Sequence, residues 1–149
     1  MKRTFVIIVM MAALILAVPA TGKCQKTVPK SEKSSLLHLG TWQLASYKYG
    51  DQPDFVDIPK SNKHIKLITE THFSWVETDT ATRKISSMAG GRYTLNGSTY
   101  TESIDYGLGM DTYLGHKQTF TIKVEGDMLF LSGMLSDGYK VEEIWQRVK

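Results

Sequence analysis

Residues 85–106 have the sequence ISSMAGGRYTLNGSTYTESIDY, which predicts a β-hairpin. Apolar or aromatic residues alternate with polar ones on both sides of Asn96-Gly97, a pair typical of a two-residue hairpin turn because both residues accept positive φ. We therefore predict two antiparallel strands, at about 85–95 and 98–106. Gly90-Gly91 interrupts the first strand and predicts a bulge or a sharp bend there.

The same alternation continues over the rest of the chain from Gly40 onward, and no ten-residue stretch there has helical periodicity. Eight strands are predicted in all, at about 41–49, 63–69, 72–78, 85–95, 98–106, 117–125, 128–134 and 139–147. Eight antiparallel strands can close on themselves and leave an interior that holds side chains or one small ligand. The predicted fold is all-β, an eight-stranded antiparallel up-and-down barrel.

The connections between the predicted strands alternate in length. Tight turns are predicted at Glu70-Thr71, Asn96-Gly97 and Glu125-Gly126-Asp127. The other connections are longer and span 50–62, 79–84, 107–116 and 135–138. Successive turns of a meander fall at opposite ends, so we expect all the long connections at one end of the barrel, called the mouth, and the tight turns at the other, called the floor.

The N-terminal residues predict export. Lys2 and Arg3 precede an apolar run from Phe5 to Val18 and then small residues, which is the order of a secretory signal peptide. We assign residues 1–22 to the signal peptide, 23–38 to a disordered leader and 39–149 to the barrel domain, and expect a periplasmic or secreted protein. Lipidation of Cys24 would attach the chain to a membrane, but Lys23 occupies the position where lipoprotein signals have a small residue.

Charge and cysteine content exclude several classes of partner and site. The net charge of +3 falls to +1 without Lys2 and Arg3, which does not favour nucleic-acid binding. Cys24 is the single cysteine of the sequence and precedes the predicted domain, so the domain has neither a disulfide framework nor a thiolate metal site.

The two ends of the predicted domain carry a family pattern. Gly40-Thr41-Trp42 opens the first strand as Gly-x-Trp, and the last strand ends Glu143-Ile144-Trp145-Gln146-Arg147. This combination resembles the lipocalin, or calycin, pattern, and the domain is similar to short secreted lipocalin-like proteins of Bacteroidetes whose function is unknown. The resemblance implies that Trp42 closes the floor and that Arg147 packs across it. The domain is shorter than a typical lipocalin, so no ligand identity is implied.

Three predicted strands carry aromatic residues and a carboxylate on one face, which predicts an aromatic interior with acidic positions. A buried carboxylate must find a partner or shift its pKa upward, so these positions are functional candidates. The alternative is that each Glu faces solvent or pairs with a nearby Arg or Lys. The candidate ligand-binding residues are Tyr49, Trp75, Glu77, Glu102, Tyr106, Phe120 and Tyr139.

The glycine-rich connection at 107–116 contains Leu108, Met110, Tyr113 and Leu114, which could cover the mouth as a lid or simply anchor the loop. The histidines do not predict a shared metal ion. His72 belongs to a floor turn, whereas His64 and His116 belong near the mouth. We expect no metal and no cofactor, although a single histidine could in principle ligate haem.

Three functions are compatible with this barrel. The first is a secreted binding protein that holds a small hydrophobic or amphipathic molecule in the interior. The second is a solid barrel that acts as a structural or interaction module, as a homo-oligomer or with an envelope partner. The third is an enzyme that uses Glu77 or Glu102 with a tyrosine, but the sequence contains no recognised catalytic motif and no catalytic residue is assigned.

Overall fold

A computed structural model describes residues 36–149 of the chain, so the predicted signal peptide, Cys24 and most of the predicted leader lie outside the described residues. The described part is an antiparallel β-structure of nine strands. Their bounds are β1 Gly40–Tyr49, β2 Val56–Asp57, β3 Asn62–Ile68, β4 His72–Asp79, β5 Ile85–Asn96, β6 Thr99–Leu108, β7 Lys117–Glu125, β8 Met128–Met134 and β9 Lys140–Arg147. Residues 36–149 include no helix long and apolar enough to cross a membrane.

The sheet closes into the predicted barrel of eight strands. Each strand from β3 to β8 pairs with the next, and β1 pairs with β3. The barrel closes because β1 also pairs with β9, along the register from Trp42↔Arg147 to Tyr49↔Val141. The two-residue strand β2, which the sequence did not predict, pairs with Ser46 and Tyr47. It occupies the edge of β1 where β1 and β3 no longer pair, near the mouth.

The long and tight connections separate to opposite ends, in agreement with the meander. One turn differs in position from the prediction: Asn96 pairs with Thr99, so the two loop residues are Gly97 and Ser98. Gly97 has φ of 61°, and no positive φ is found at Asn96 or Ser98. Only the first loop residue therefore requires the freedom of glycine.

The predicted irregularity at Gly90-Gly91 is a β-bulge whose extra residue lies on the partner strand. Gly90 pairs with Tyr106 and the adjacent Gly91 pairs with Ile104, which leaves Asp105 without a partner on β5. Neighbouring residues of β5 face opposite sides of the sheet, so Ile104 and Tyr106 also face opposite sides. Ile104 points into the barrel and Tyr106 points out.

The floor is closed by tryptophans and by the last strand. Trp42 and Trp145 are fully buried, and the guanidinium carbon of Arg147 lies 4.0 Å from the centroid of the Trp42 ring. Arg147 also donates hydrogen bonds to the carbonyls of Leu37 and Leu39, while the Trp42 indole donates to the carbonyl of His38. Residues 36–38, which the sequence analysis placed in the leader, thus form a turn held against the floor.

Candidate functional site

The barrel is hollow above its floor. A cavity of about 370 Å³ lies among side chains of all eight barrel strands and of the long connections at the mouth. Aromatic side chains form much of its wall: Tyr47, Tyr49, Trp75, Tyr113, Phe120, Tyr139 and Trp145. A solid barrel filled by its own side chains, the second interpretation of the sequence, is therefore not what residues 36–149 form.

Most of the predicted ligand-binding residues line this cavity. They are Tyr49, Trp75, Glu77, Glu102, Phe120 and Tyr139. The placement predicted for Tyr106 is wrong, because the extra residue Asp105 reverses the faces of β6 beyond Ile104. Tyr106 is 49% exposed, and its ring lies over Gly90 on the outer surface.

An ion pair occupies the deepest polar level of the cavity. The Lys66 Nζ lies 2.9 Å from the Glu102 Oε1, and each side chain is 4% exposed. The ammonium also lies 5.3 Å from the Trp145 ring centroid and 5.8 Å from that of Phe73, which adds cation–π contacts. Burial raises the pKa of Glu102, and the charge of Lys66 opposes that shift.

His64 lies one level closer to the mouth on the same face of β3 as Lys66. Its ring centroid is 4.9 Å from Trp75 and 4.9 Å from Trp145, and the residue is 9% exposed. Its Nε2 is buried without a hydrogen-bond partner among residues 36–149. Burial, assisted by the Lys66 charge, lowers the pKa of His64 to about 3, so the imidazole is neutral at neutral pH.

Glu143 is a second buried carboxylate on the cavity wall, and both of its oxygens accept hydrogen bonds from neutral donors. The Tyr49 hydroxyl donates to Oε1 at 2.6 Å, and the Trp145 indole donates to Oε2 at 2.9 Å. Glu143 is 8% exposed, and no cation within residues 36–149 forms a salt bridge with it. Hydrogen bonds therefore stabilise this carboxylate, but no positively charged side chain within residues 36–149 pairs with it.

Glu77 is the third carboxylate of the cavity and lies nearer the mouth. Its Oε1 accepts a hydrogen bond from the Asn62 side-chain amide at 2.6 Å. Burial raises the pKa of the Tyr49 hydroxyl far above its usual range, and the charges of Glu143 and Glu77 raise it further. Tyr49 is thus a hydroxyl donor flanked by two carboxylates, and it stays protonated at any physiological pH.

Part of the long connection between β6 and β7 reaches the cavity. Met110 and Tyr113 line it, whereas Leu108 and Leu114 are exposed. The Tyr113 hydroxyl donates to the Asp137 Oδ2 at 2.7 Å, a bond that joins two mouth connections and raises the pKa of Tyr113 to about 12. Two of the four residues considered for a lid therefore contribute to the mouth.

Sequence reasoning missed Lys66 as an interior residue. The signal was present, because Lys66 has the same parity as His64 and Ile68 on a predicted strand, but lysine side chains are ordinarily exposed. Glu143 is not among the predicted ligand-binding residues, although it shares one face of the last predicted strand with Val141 and Trp145. His72 and His116 are exposed, and no group of three metal-ligating side chains occurs within residues 36–149.

Two solved structures with similar folds come from Bacteroides. A lipocalin-like protein from Bacteroides uniformis is 21% identical, with a TM-score of 0.53, and the match covers 74% of this chain and 97% of that one. An uncharacterised protein from Bacteroides eggerthii is 12% identical with the same TM-score of 0.53, covering 74% of this chain and 98% of the other. At such identities the likeness establishes a lipocalin-like barrel fold.

A search of curated proteins gives no significant match. One family model does match, over residues 38–149, which is the barrel together with the histidine that caps its floor. The chain therefore belongs to the family described as domain of unknown function DUF4488.

Proposed function

We propose that this protein is an exported binding protein that holds a small, partly apolar molecule inside the barrel. The observation that carries the proposal is the aromatic cavity of about 370 Å³ above the Trp42 floor. Ligand pockets in proteins measure about 300–1,000 Å³, are mostly apolar and contain a few placed polar groups. A cavity at the small end of that range suits a compact ligand.

The polar groups of the cavity support binding with a defined orientation. Glu77, Glu102, Glu143 and His64 are distributed over β3, β4, β6 and β9, while apolar and aromatic surface separates them. A cavity with no function would be expected to collapse or to be filled, since voids reduce stability. Its retention beside buried charges is better explained by a ligand.

A cavity-filling variant tests the proposal directly. Ser87 lines the cavity, whereas its neighbour Ser86 is exposed and is not among the lining residues. We expect Ser87→Trp to lower the affinity for the neutral apolar dye N-phenyl-1-naphthylamine at least tenfold, because the indole occupies the ligand volume. Ser86→Trp is the matched control and should bind the dye like the wild type.

Circular dichroism and urea unfolding of both variants establish that they are folded before dye titration. Dye binding that is equal in the wild type and Ser87→Trp, or absent from the wild type, would contradict an interior binding site. Organic extraction of the purified wild type and Ser87→Trp, followed by mass spectrometry, then identifies molecules that depend on the cavity.

Export is the second part of the proposal and is supported by the basic and apolar pattern of residues 1–22. Expression of the full chain in a Gram-negative host, followed by fractionation and intact mass measurement, tests it. The expected product is a chain that has lost the N-terminal segment and is found in the periplasm or the medium. A full-length chain retained in the cytoplasm would refute this part alone.

A further inference from the structure

The cavity contains more negative than positive groups. Three carboxylates line it, Glu77, Glu102 and Glu143, and Lys66 is the one lysine or arginine among the lining residues. Lys66 is committed to Glu102 by the 2.9 Å contact, and the rings of Trp145, Phe73 and Tyr100 surround its ammonium. Neither of the two remaining carboxylates, Glu77 and Glu143, forms a salt bridge within residues 36–149.

Those two carboxylates both act on one tyrosine, Tyr49. Glu143 accepts the Tyr49 hydroxyl, and Glu77 is close enough for its charge to act on the same hydroxyl. Each carboxylate offers about four acceptor sites, of which Glu143 uses two and Glu77 uses one. Spare acceptor capacity for a ligand donor is therefore present on both.

An independent observation points to the same place. His64 is the direct cross-strand partner of Glu77, lies on the cavity wall and is 9% exposed, yet its Nε2 has no partner among residues 36–149. A buried polar atom without a hydrogen bond costs about 1–3 kcal/mol. In the tautomer of the neutral imidazole that carries the proton on Nδ1, Nε2 is an acceptor, and a ligand N–H group would satisfy it.

Aromatic rings complete this region. Trp75 and Trp145 flank His64, and Tyr47 and Tyr49 stack with centroids 4.6 Å apart beside Glu143. Ring faces attract cations, most strongly when water is excluded. Uncompensated carboxylates, an acceptor nitrogen and aromatic faces all disfavour an anion and favour a positively charged donor.

We infer that the ligand is a protonated amine on a small apolar body, its ammonium bound among Glu77, Glu143 and His64 and its apolar part among the aromatic walls. This inference rests on the proposed binding function and gives it a chemical class. Lys66 and Glu102 neutralise each other, so this ion pair adds no net charge to the cavity.

Competition against the neutral dye tests the class with three ligands of equal body. Octylamine, octanol and octanoate share an eight-carbon chain and differ in charge at neutral pH. We expect octylamine to displace the dye at a concentration at least tenfold lower than octanol, and octanoate to be the weakest. Equal or stronger displacement by octanol or octanoate, or no displacement by octylamine, overturns the inference.

Isosteric variants locate the charge preference. Glu143→Gln should reduce octylamine affinity at least tenfold and leave octanol affinity within about twofold, a selective change that general unfolding would not produce. Glu142→Gln is the matched control, because Glu142 is the next residue on the outer face and pairs with Lys48 at 2.8 Å. An equal loss for both ligands in Glu143→Gln would mean a structural role and overturn the inference.

The dye itself separates this test from the test of the proposed function. If the dye binds the wild type and is blocked by Ser87→Trp while octylamine shows no advantage, the binding function stands and the amine class is wrong. If the dye does not bind, the binding function fails first.

Discussion

The ammonium of Lys66 and the carboxylate of Glu102 meet at 2.9 Å across the barrel interior, although 36 residues separate them in sequence. Both side chains are almost entirely buried, and Glu143 adds a further negative charge that acts on Glu102. Removal of one partner of a buried ion pair leaves an uncompensated buried charge. The resulting loss of stability is far larger than the stability that an exposed ion pair contributes.

The first prediction concerns the asymmetry of this pair. Lys66→Met should lower the free energy of unfolding by about 3–5 kcal/mol, because it leaves the buried Glu102 carboxylate without its cation and exposed to the negative charge of Glu143. Glu102→Gln should cost less, about 1–3 kcal/mol, since the glutamine oxygen can still accept from the Lys66 ammonium, which aromatic rings surround. Urea unfolding of both variants measures these costs. The double variant Lys66→Met/Glu102→Gln should be more stable than Lys66→Met alone. A cost for Lys66→Met below about 1 kcal/mol would refute it.

The second prediction concerns pH and His64. The pKa of His64 falls from 6.5 to about 3 on folding, so below pH 6.5 the unfolded chain takes up a proton that the folded chain does not. This contribution to stability is complete above pH 6.5 and is lost as the pH falls toward 3, by about 1.4 kcal/mol for each pH unit.

Unfolding of the wild type and His64→Gln in urea at pH 7, 6 and 5 checks the His64 contribution. Between pH 6 and pH 5, the free energy of unfolding should fall less in His64→Gln than in the wild type, with a difference of about 1.4 kcal/mol for each pH unit. Glu102, whose pKa is raised, contributes with the opposite sign in acid, but it does so in both proteins and cancels in the difference. His116→Gln, at an exposed histidine, should follow the wild type, and parallel curves for His64→Gln would exclude the proposed cause.

The third prediction concerns the floor. Arg147 lies over Trp42 and also donates to two backbone carbonyls, those of Leu37 and Leu39, which only a planar guanidinium can do together. Arg147→Lys should therefore lower the free energy of unfolding by about 1–2 kcal/mol although it preserves the charge. Urea unfolding provides the measurement, and Lys149→Arg at an exposed position should lie within about 0.5 kcal/mol of the wild type. If Arg147→Lys has the same free energy of unfolding as the wild type, only the positive charge matters at this position.

The fourth prediction concerns the bulge. A Cβ on Gly91 would overlap the backbone carbonyl oxygen of Ser103, whereas a Cβ on Gly90 would overlap the hydroxyl group of Tyr106. Backbone cannot move away as an exposed ring can, so Gly91→Ala should cost more than about 3 kcal/mol and Gly90→Ala about 1–3 kcal/mol.

Repeating both alanine substitutions in a Tyr106→Ala background separates the two clashes. The cost of Gly90→Ala should largely disappear there, and that of Gly91→Ala should remain. Tyr106→Ala by itself should keep the dye affinity of the wild type, because the residue lies outside the cavity. Weakened dye binding in folded Tyr106→Ala would argue against the outward placement.

The barrel architecture follows from local features of the sequence. Alternation and turn signals are local properties, and they located all eight barrel strands to within two residues of their bounds. The order of tight and long connections then assigned a floor and a mouth, because a meander leaves no other arrangement. Six of the seven candidate ligand-binding residues consequently lie on the cavity wall.

The contacts between charged side chains, and the face of β6 that points inward beyond its bulge, depend on the tertiary structure. The bulge at Asp105 reverses β6 because an unpaired residue is defined by the register of two strands, which alternation along one strand does not contain. Lys66 balances Glu102, while Glu77 and Glu143 keep their charge unbalanced, because distances across the closed barrel select the partners. Alternation along the sequence predicts which face of a strand a residue occupies. Closure of the sheet determines which of these side chains meet inside the cavity.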